Sequence, residues 1–423
     1  MAPSATRATT AWRSAASDAI ISDSIISDSI TWDQTGVMAL KIGRGASAPP
    51  FIVMDVIAAA NARQAELAPG MPHVIRMEVG QPGTGAPAGA VAAAQAALRS
   101  GNPLGYTEAF GRISLRERIV AHIRDWYGLE VPVARVAVTV GASGAFPLAF
   151  LAAFDPGDRI ALAAPFYPPY VNILTALGMH PVILEAGPET RFQPDVAMLE
   201  RLDPRPDGVM VASPCNPAGT MLHPDELRAI ARWCDGNGVR LISDEIYHGL
   251  NYDSPISTAA AFSSNAIVVN SFSKYFSMTG WRVGWMVLPE DLVRPVERLT
   301  QNLFISAPYI SQVAAEAAFD CGEELQANIA RYRRSRDHLL ATLPGAGFPH
   351  LSPAEGAFYL FADVGDRSND SVSFCTRMLN EAGVACSPGV DFDRTRGNRF
   401  VRFSYCGPEA DMRAAAERLR DWR

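Results

Sequence analysis

The segment from Ser271 to Gly284 carries the side chains with the clearest potential for chemistry. Two hydroxyls, Ser271 and Ser273, stand directly before Lys274, and a guanidinium, Arg282, follows between two glycines. Hydroxyl groups together with an arginine suit a bound phosphate. A lysine that is partly desolvated among other cations loses proton affinity and becomes a nucleophile toward an aldehyde. Because a lone SxSK segment is more often a solvated surface lysine, this interpretation needs support from the rest of the chain.

A carboxylate and an amide stand at the ends of two other apolar runs. Asp244 closes the apolar segment Leu241–Ser243, where it either pairs with a protonated ring nitrogen of a cofactor or caps a helix N-terminus. Asn216 lies in Ser213–Thr220, which is a turn by composition. Its side chain either binds a ring hydroxyl or only shapes the turn, and Cys215 beside it is interpreted as a bystander.

Two glycine-containing segments follow predicted strands. The backbone amides of 141–145, with the start of the next helix, could cradle a phosphate, although this signal is weak alone. Gly83, Gly85 and Gly89 miss the dinucleotide-binding spacing by one place, so a Rossmann NAD site is rejected.

These segments require a sheet to bring them together, and the pattern along the chain predicts one. The predicted strands are His73–Val79, Val136–Val140, Arg159–Ala164, Gly208–Ser213, Arg240–Asp244 and Ala266–Ser271. The predicted helices before and between them are Phe51–Gln64, Ala145–Phe154, Pro168–Leu177 and Pro224–Asn237. Apolar strands that alternate with helices are typical of a mainly parallel sheet covered on both faces. Because ligands bind beyond the carboxyl ends of such strands, the polar segments should converge along one edge.

The chain after Pro289 follows a different pattern. It is predicted to be mostly helical to Leu343, and then to mix strands with helices. These last elements are predicted at Phe358–Phe361, Ser371–Ala382, Phe400–Ser404 and Glu409–Trp422. This α+β segment predicts a second, smaller domain.

Composition excludes several classes of function. The chain has 423 residues, 48% of them hydrophobic, which is enough for two or three domain-sized units. A net charge of −7 without a basic tail argues against nucleic-acid binding. No apolar run approaches the roughly 20 residues that span a bilayer. The six scattered cysteines have neither CxxC nor zinc-ligand spacing, so we expect a cytoplasmic protein without a metal site.

The N-terminus departs from a folded-domain pattern. Residues 1–17 are rich in Ala, Ser and Thr with Arg7 and Arg13, a weak similarity to an organelle transit peptide, and the pentapeptide IISDS then occurs twice. We favour a disordered or non-native leader over 1–40, and we expect residues 1–37 not to pack into the core.

The combination of motifs resembles the class I/II aminotransferases of pyridoxal 5'-phosphate (PLP) fold type I, the aspartate aminotransferase superfamily. The resemblance extends from about Gly45 to the C-terminus. The matching segments are, in order, Gly80-Gln81-Pro82; Tyr106 with Gly111 and Leu115-Arg116; Gly141-Ala142-Ser143; Pro165–Tyr170; SPCNPAGT; SDEIY; SFSKYFSMTGWRVGW; Gly356–Tyr359; and Val401-Arg402-Phe403. Each segment is modest alone, but their joint occurrence in this order is specific.

The resemblance implies a set of residues around the cofactor ring. Lys274 would hold PLP covalently and then shuttle a proton between the substrate and the cofactor. Asp244 would pair with the pyridinium nitrogen. Asn216 and Tyr247 would bind the ring hydroxyl oxygen, and Tyr167 would stack on the ring, where the alternative is a core tyrosine.

The resemblance also implies how the phosphate and the substrate are held. The phosphate would be bound by Ser271, Ser273, Arg282 and the amides of Ala142 and Ser143. Tyr106 would reach the phosphate of the neighbouring subunit, so the active unit should be a homodimer. Arg402 would clamp the substrate carboxylate, helped by Gly80 and Asn216; the alternative for Arg402 is a structural ion pair.

The implied fold is α/β, of PLP fold type I. A large PLP-binding domain over 85–325 would carry a mainly parallel sheet flanked by helices. A smaller α+β domain would combine the two chain ends, 41–84 and 326–423.

The implied reaction is transamination between an L-amino acid and a 2-oxo acid. A PLP-dependent C–S β-lyase is the alternative enzyme, since PLP carries the difficult chemistry on many related sites. A PLP-sensing transcription regulator is the non-enzymatic alternative, but the first 40 residues are too short and too weakly basic for a DNA-binding module.

The segment expected over the substrate side chain is apolar. Phe51–Met54 follows a proline pair and contains no basic residue, and Tyr106, Phe166 and Tyr167 add aromatic surface. A dicarboxylic donor would need a second cation, because a buried unpaired carboxylate is costly. The expected donor is therefore a neutral amino acid, apolar or aromatic.

Overall fold

The apolar runs that were predicted as strands lie side by side in a seven-stranded sheet in the computed structural model, which describes residues 40–422. Nearly all of the predicted leader lies outside the described residues. Ser47 to the C-terminus forms one compact unit, and the following description concerns that unit.

Thirteen strands are present in this described unit. In chain order they are β1 (Ile75–Arg76), β2 (Val136–Thr139), β3 (Arg159–Ala164), β4 (His180–Glu185), β5 (Gly208–Ala212), β6 (Arg240–Asp244), β7 (Ile267–Ser271), β8 (Gly284–Val287), β9 (His350–Leu351), β10 (Tyr359–Asp363), β11 (Val384–Ala385), β12 (Ser387–Pro388) and β13 (Phe400–Ser404).

Helices separate most of the strands. In chain order they are α1 (Ile52–Ala65), α2 (Ala88–Arg99), α3 (Ile113–Tyr127), α4 (Gly141–Ala153), α5 (Pro169–Ala176), α6 (Val196–Glu200), α7 (Pro224–Asn237), α8 (Glu290–Leu303), α9 (Tyr309–Ala318), α10 (Gly322–Thr342), α11 (Ser371–Arg377) and α12 (Glu409–Asp421). A π-helical turn, Met378–Ala382, continues α11.

The central sheet has the strand order β2-β8-β7-β6-β5-β3-β4. The five strands from β3 to β7 are parallel, whereas β8 runs antiparallel to both β7 and β2. The carboxyl ends of β5, β6 and β7 therefore meet at one edge. The predicted α/β fold with a mainly parallel sheet is confirmed.

Both faces of this sheet are covered, which explains the nearly continuous apolar strands. Val209, Leu241 and Val268 pack on one face with residues of α3, α7 and α9. Met210 and Ile242 point to the opposite face, where they pack with residues of α4, α5 and α8. The alternation follows from the two-residue period of a strand.

Of the two smaller sheets, one joins the two ends of the described chain and the other belongs wholly to its C-terminal part. β1 pairs in parallel with β11, and the four-stranded sheet has the order β12-β13-β10-β9. In that sheet Arg402 on β13 lies opposite Phe361 on β10. The division into a large and a small domain at residues 84 and 325 stays a prediction.

Several predicted boundaries were wrong. The strand predicted at His73–Val79 is only the two-residue β1. The helix predicted from Ala145 begins at Gly141, so the glycine segment is its first turn. β4 was not predicted as a strand because its apolar run, Val182–Leu184, is short and only Leu184 is buried.

Among the described residues, no helix is long and apolar enough to cross a membrane.

Candidate active site

The carboxyl ends of β5, β6 and β7 form the floor of a cavity of about 250 Å³. Asn216 follows β5, Asp244 ends β6, and Ser273 and Lys274 follow β7. The other walls come from α1, the start of α4, Gly80 and the β10–β13 pair. Residues from almost the whole described chain therefore meet at one sheet edge.

Lys274 is half-buried in this cavity. Its Nζ donates to the carbonyl oxygen of Gly80 at 2.5 Å. Its pKa is lowered to about 8, chiefly by desolvation and also by the guanidinium groups of Arg402 and Arg282, while Cys406 and Asp244 act in the opposite direction. A substantial fraction of the amine is therefore neutral near pH 8 and able to act as a nucleophile. The surface-lysine alternative does not describe this environment.

Asp244 is buried at the bottom of the cavity. It accepts hydrogen bonds from the Tyr170 hydroxyl and, at 3.0 Å, from the Ile246 amide. Burial raises its pKa to about 6, although these two donors and Lys274 counteract the rise. A buried carboxylate of this kind is stabilised by a cationic partner, such as a protonated ring nitrogen. No helix begins at Asp244, so it is not a helix cap.

A polar cradle lies where α4 begins. The first-turn amides of Ala142 and Ser143 belong to a helix N-terminus, which favours anions. Arg282 Nη2 donates to Ser143 Oγ at 3.3 Å. Gly141 has a φ of +65°, and a Cβ there would lie 2.5 Å from Arg282 Nη2. Only glycine therefore allows Arg282 to approach this closely.

Two serines extend this cradle. Ser271 Oγ donates to Ser273 Oγ at 3.0 Å and accepts from the Ser273 amide at 3.1 Å. Ser273 lines the cavity, whereas Ser271 lies behind it and also bonds to the Val283 carbonyl. Arg282 itself has a φ of +51°, a left-handed conformation that a non-glycine residue adopts at a cost. Such strain is typical of functional sites.

Arg402 is 2% exposed and held on several sides. Nη1 donates to Asn216 Oδ1 at 2.8 Å, and Nη2 donates to the Glu78 carbonyl at 2.5 Å and Ser387 Oγ at 3.0 Å. Its Nε has no protein partner within residues 40–422. Arg402 also forms no ion pair with those residues, so the structural ion-pair alternative does not fit.

Aromatic rings form the remaining polar and apolar walls. Tyr247 Oη lies 2.7 Å from Tyr359 Oη, and the Arg402 guanidinium stacks between the rings of Tyr359 and Phe392 at 4.6 and 4.7 Å. Tyr167 is half-buried and contacts Phe51 edge-on, with ring centroids 5.7 Å apart. It borders the cavity and is not a core tyrosine.

One predicted site residue lies apart from the others. Tyr106 is 82% exposed in the single chain and does not line the cavity. Every other predicted site residue except Ser271 is on the cavity wall.

The sequence prediction missed two tyrosines of the site. Tyr170 was quoted in the Pro165–Tyr170 segment without a role, yet its hydroxyl binds Asp244. Tyr359 was quoted in the Gly356–Tyr359 segment, yet it contacts both Tyr247 and Arg402. Their place in the matching segments was the available signal, but only the fold shows what they touch.

The residues present fit PLP. The cavity offers an amine of lowered pKa, a buried carboxylate opposite it, and a hydroxyl, amide and guanidinium cradle for a phosphate. Arg402 adds a cation for a substrate carboxylate.

Comparison with known proteins gives a consistent result. The family model for aminotransferase class I and II matches residues 72–419. The valine–pyruvate aminotransferase of Mycobacterium tuberculosis is 48% identical over 389 residues, covering 91% of this chain and 99% of that protein. The aspartate/prephenate aminotransferase of Thermus thermophilus is 33% identical over 367 residues, covering 85% and 94%.

Solved structures agree with these sequence matches. The crystal structure of an aminotransferase from Mycobacterium tuberculosis has a TM-score of 0.88 at 48% identity, covering 91% of this chain and 99% of that one. The chain thus belongs to the class I and II aminotransferases, and it is a PLP-dependent enzyme that moves an amino group between an L-amino acid and a 2-oxo acid.

Proposed function

We propose that the amino donor is a neutral amino acid with an apolar or aromatic side chain, and that the enzyme works as a cytoplasmic homodimer. The apolar wall over the cavity is the observation that carries the choice of donor.

That wall is built by the start of α1. Phe51, Val53, Met54 and Ile57 line the cavity on this side, and Ile246 lines it from the turn after β6. An apolar substrate side chain gains roughly 25 cal/mol for each Å² that it buries there. A carboxylate in the same place would lose its hydration without an obvious partner.

The cations of the cavity already have other tasks in this proposal. Among the described residues that line it, the cations are Lys274, Arg282 and Arg402. We assign Lys274 to the cofactor, Arg282 to its phosphate and Arg402 to the α-carboxylate of the substrate. No lining cation of the described chain then remains for the second carboxylate of aspartate or glutamate.

The relatives differ in the substrates that their names state. The relative with 48% identity is a valine–pyruvate aminotransferase, and the one with 33% identity is an aspartate/prephenate aminotransferase. The more similar relative supports a neutral donor, with pyruvate as a suitable acceptor to test.

The proposed division of labour follows from the contacts in the cavity. PLP, when bound, supplies the electron sink for the reaction. Asp244 keeps the ring nitrogen protonated, because the buried carboxylate is most stable beside a cation. Lys274 accepts the proton from the substrate Cα and then donates it to the cofactor. This transfer suits an amine with a pKa of about 8.

The remaining assignments concern the residues that contact the ring oxygen and the ring face of the cofactor. Asn216 and Tyr247 bind the ring oxygen, and Tyr167 stacks on the ring. Ser271 acts by orienting Ser273, since it lies behind that residue.

Two features support the homodimer and the compartment. Tyr106 is exposed and outside the cavity of its own chain, as a residue that serves a neighbouring subunit would be. The compartment is supported by the cysteines, because all six are free thiols, which suits a reducing environment. They are Cys215, Cys234, Cys321, Cys375, Cys386 and Cys406.

The test is a comparison of donors with pyruvate as the common acceptor. We expect kcat/KM for valine, leucine, methionine or phenylalanine to exceed that for aspartate by at least about tenfold, since one unpaired buried carboxylate costs more than 1.4 kcal/mol. A clear preference for aspartate would contradict the proposed donor and indicate a cation supplied from elsewhere.

A further inference from the structure

We propose that Tyr359 is a positioning residue of the reaction, which directs the hydroxyl of Tyr247 toward the cofactor ring oxygen and holds the plane of Arg402 for the substrate carboxylate. The inference rests on the proposed role of Tyr247 and Arg402, and it adds a residue through which the two are coupled.

The contacts place Tyr359 between these two groups. It starts β10, is 1% exposed, and its side chain lines the cavity. Its hydroxyl lies 2.7 Å from that of Tyr247, while the face of its ring lies 4.6 Å from the Arg402 guanidinium carbon. One rigid side chain therefore contacts both the proposed ring-oxygen donor and the proposed carboxylate clamp.

The proposed role of Tyr247 sets the direction of the tyrosine–tyrosine bond. Each hydroxyl has a single proton and can accept as well as donate. Within the described chain, each of the two hydroxyls has the other as its hydrogen-bond partner. If Tyr359 donates, the proton of Tyr247 is left for an acceptor in the cavity, and both hydroxyls are satisfied. If Tyr247 donated to Tyr359 instead, its single proton would no longer be free for the ring oxygen, which would lose this donor.

A chain of two hydroxyls is stronger than its separate bonds. A hydroxyl that accepts a hydrogen bond becomes a better donor, by roughly 10–30% per bond in condensed-phase estimates. Tyr359 would thus strengthen donation by Tyr247 to an anionic oxygen. The titratable groups that act on Tyr359 itself are Arg402, Tyr247, Cys406 and Tyr167, and burial keeps its pKa raised, so it remains a neutral donor.

Gly80 explains how the hydroxyl reaches this position. A Cβ on Gly80 would lie 2.0 Å from the Tyr359 hydroxyl oxygen, so any side chain at residue 80 would displace it. The carbonyl of the same glycine accepts from Lys274 Nζ. The glycine therefore allows Tyr359, Lys274 and Tyr247 to meet at one point.

The ring of Tyr359 has a second proposed function, which is to contact Arg402. Arg402 is stacked between Tyr359 and Phe392, and its edge is bonded to Asn216, Glu78 and Ser387. A ring face against the guanidinium supports the orientation of its plane in addition to these in-plane bonds. A tilted plane would meet the substrate carboxylate with poor geometry.

The first test is a spectroscopic pH titration of the PLP-loaded protein. The visible spectrum reports the pKa of the nitrogen that links Lys274 to PLP. A hydrogen bond to the ring oxygen stabilises the anionic charge of that oxygen most when this nitrogen has lost its proton. A weaker hydrogen bond therefore raises the pKa of the nitrogen. We expect Tyr247→Phe to raise it by about one unit, and Tyr359→Phe by about 0.3 unit. The double variant should match Tyr247→Phe, because Tyr359 acts through Tyr247.

Tyr252→Phe is the matched control. Tyr252 is also buried and donates to the Ala357 carbonyl near the same strand, but it does not line the cavity. Its loss should leave the spectroscopic pKa unchanged. If Tyr247→Phe shifts the pKa but Tyr359→Phe leaves it unchanged or lowers it, the relay is wrong while the role of Tyr247 stands. If Tyr247→Phe has no effect, the proposed role of Tyr247 fails and the relay fails with it.

The second test separates the ring from the hydroxyl. Tyr359→Phe keeps the face under Arg402, so KM for the amino acid should stay within about twofold, whereas Tyr359→Leu should raise it by about threefold to tenfold. Equal KM values in the two variants would overturn the stacking role. Circular dichroism and the melting temperature of each variant identify any loss of folding.

Discussion

Two groups of the cavity, the half-buried Lys274 and the buried Asp244, have pKa values that are shifted toward each other. Desolvation lowers the pKa of Lys274 to about 8 and raises that of Asp244 to about 6. Both shifts come from the same low-dielectric cavity, which disfavours each charged form. The cavity therefore prepares an amine for nucleophilic attack and a carboxylate that is most stable beside a cation.

Replacement of Asp244 tests its proposed pairing with the ring nitrogen of the cofactor. We expect Asp244→Asn to lower kcat by roughly a hundredfold or more, about 2.7 kcal/mol of barrier, because a neutral amide cannot hold a proton on the ring nitrogen. Steady-state kinetics with saturating PLP measures the effect. Near-normal turnover in this variant would show that Asp244 is not the partner of the ring nitrogen.

The same carboxylate should affect the stability of the cofactor-free protein. Because the folded-state pKa of Asp244 is raised to about 6, its contribution to stability is fully present below its ordinary pKa of about 4 and is lost as the pH rises through 6. Asp244→Asn should therefore flatten the fall in Tm between pH 4 and pH 7 in the apo form. Asp125→Asn is the control, since that carboxylate is largely exposed.

Sequence reasoning at the residue scale was strong where a residue type is chemically unusual in its setting. Lys274, Asp244 and Arg402 stood in segments that match a family, and the fold places all three on one cavity. Prediction from the sequence was weak for Tyr359 and Tyr170, because nothing in the sequence around a tyrosine in an apolar segment distinguishes a site residue from a core residue. Only the pairing of distant strands shows what their hydroxyls reach.

At the scale of elements, the proposed choice of donor depends on the position of α1, whose first residues line the cavity. The amides of its first two residues both donate to Asp391. Ile52 donates to Oδ1 and Val53 donates to Oδ2, each at 3.1 Å. Asp391 is 6% exposed and follows β12, near the strand that carries Arg402. This remote cap therefore ties the apolar wall to the side of the cavity that holds the carboxylate clamp.

Removal of the cap should loosen the wall and leave the chemistry intact. We expect Asp391→Ala to raise KM for valine by about fivefold, since an N-terminal cap contributes about 1 kcal/mol, and to change kcat less. Asp195→Ala removes a comparable cap from α6, where Met198 donates to it at 2.7 Å, and should leave KM unchanged. A fall in kcat with an unchanged KM would argue against a role for α1 in binding the side chain.

The elements themselves were predictable to different degrees. The bounds of β3 and β6 agree with the prediction because buried parallel strands are continuous apolar runs. The helix predicted at Pro224–Asn237 agrees because a proline opens it and glycine follows it at Gly238. The start of α4 was missed because glycine is a poor helix former, and Gly141 is needed there for the close approach of Arg282.

At the scale of the whole molecule, the proposed homodimer shares its two sites between the chains. Tyr106 is exposed on its own chain, and Ile113, Leu303 and Ile305 are exposed apolar side chains as well. Apolar surface of this kind is typical of an interface between subunits. The domain bounds and the dimer remain predictions from the family.

Mixing two inactive variants tests the shared site. Lys274→Ala removes the amine from its own cavity, and Tyr106→Ala removes the phosphate contact from the neighbouring one. If each cavity takes Lys274 from one chain and Tyr106 from the other, a mixed dimer contains one cavity with both residues. We therefore expect activity to reappear when the two proteins are unfolded together and refolded. Each variant refolded alone should stay weakly active, and a mixture no better than the separate variants would contradict the shared site.

The central claim is that Lys274 holds PLP in this cavity. The chain has two lysines, Lys41 and Lys274, so a covalent label has two possible positions. Borohydride reduction of the PLP-loaded protein, followed by proteolysis and mass spectrometry, fixes the cofactor on the lysine that carries it. The account predicts the pyridoxyl group on the peptide that contains Lys274 and its loss from a Lys274→Ala protein. A label on Lys41, or an unlabelled Lys274 in protein that turns over substrate, would contradict the account.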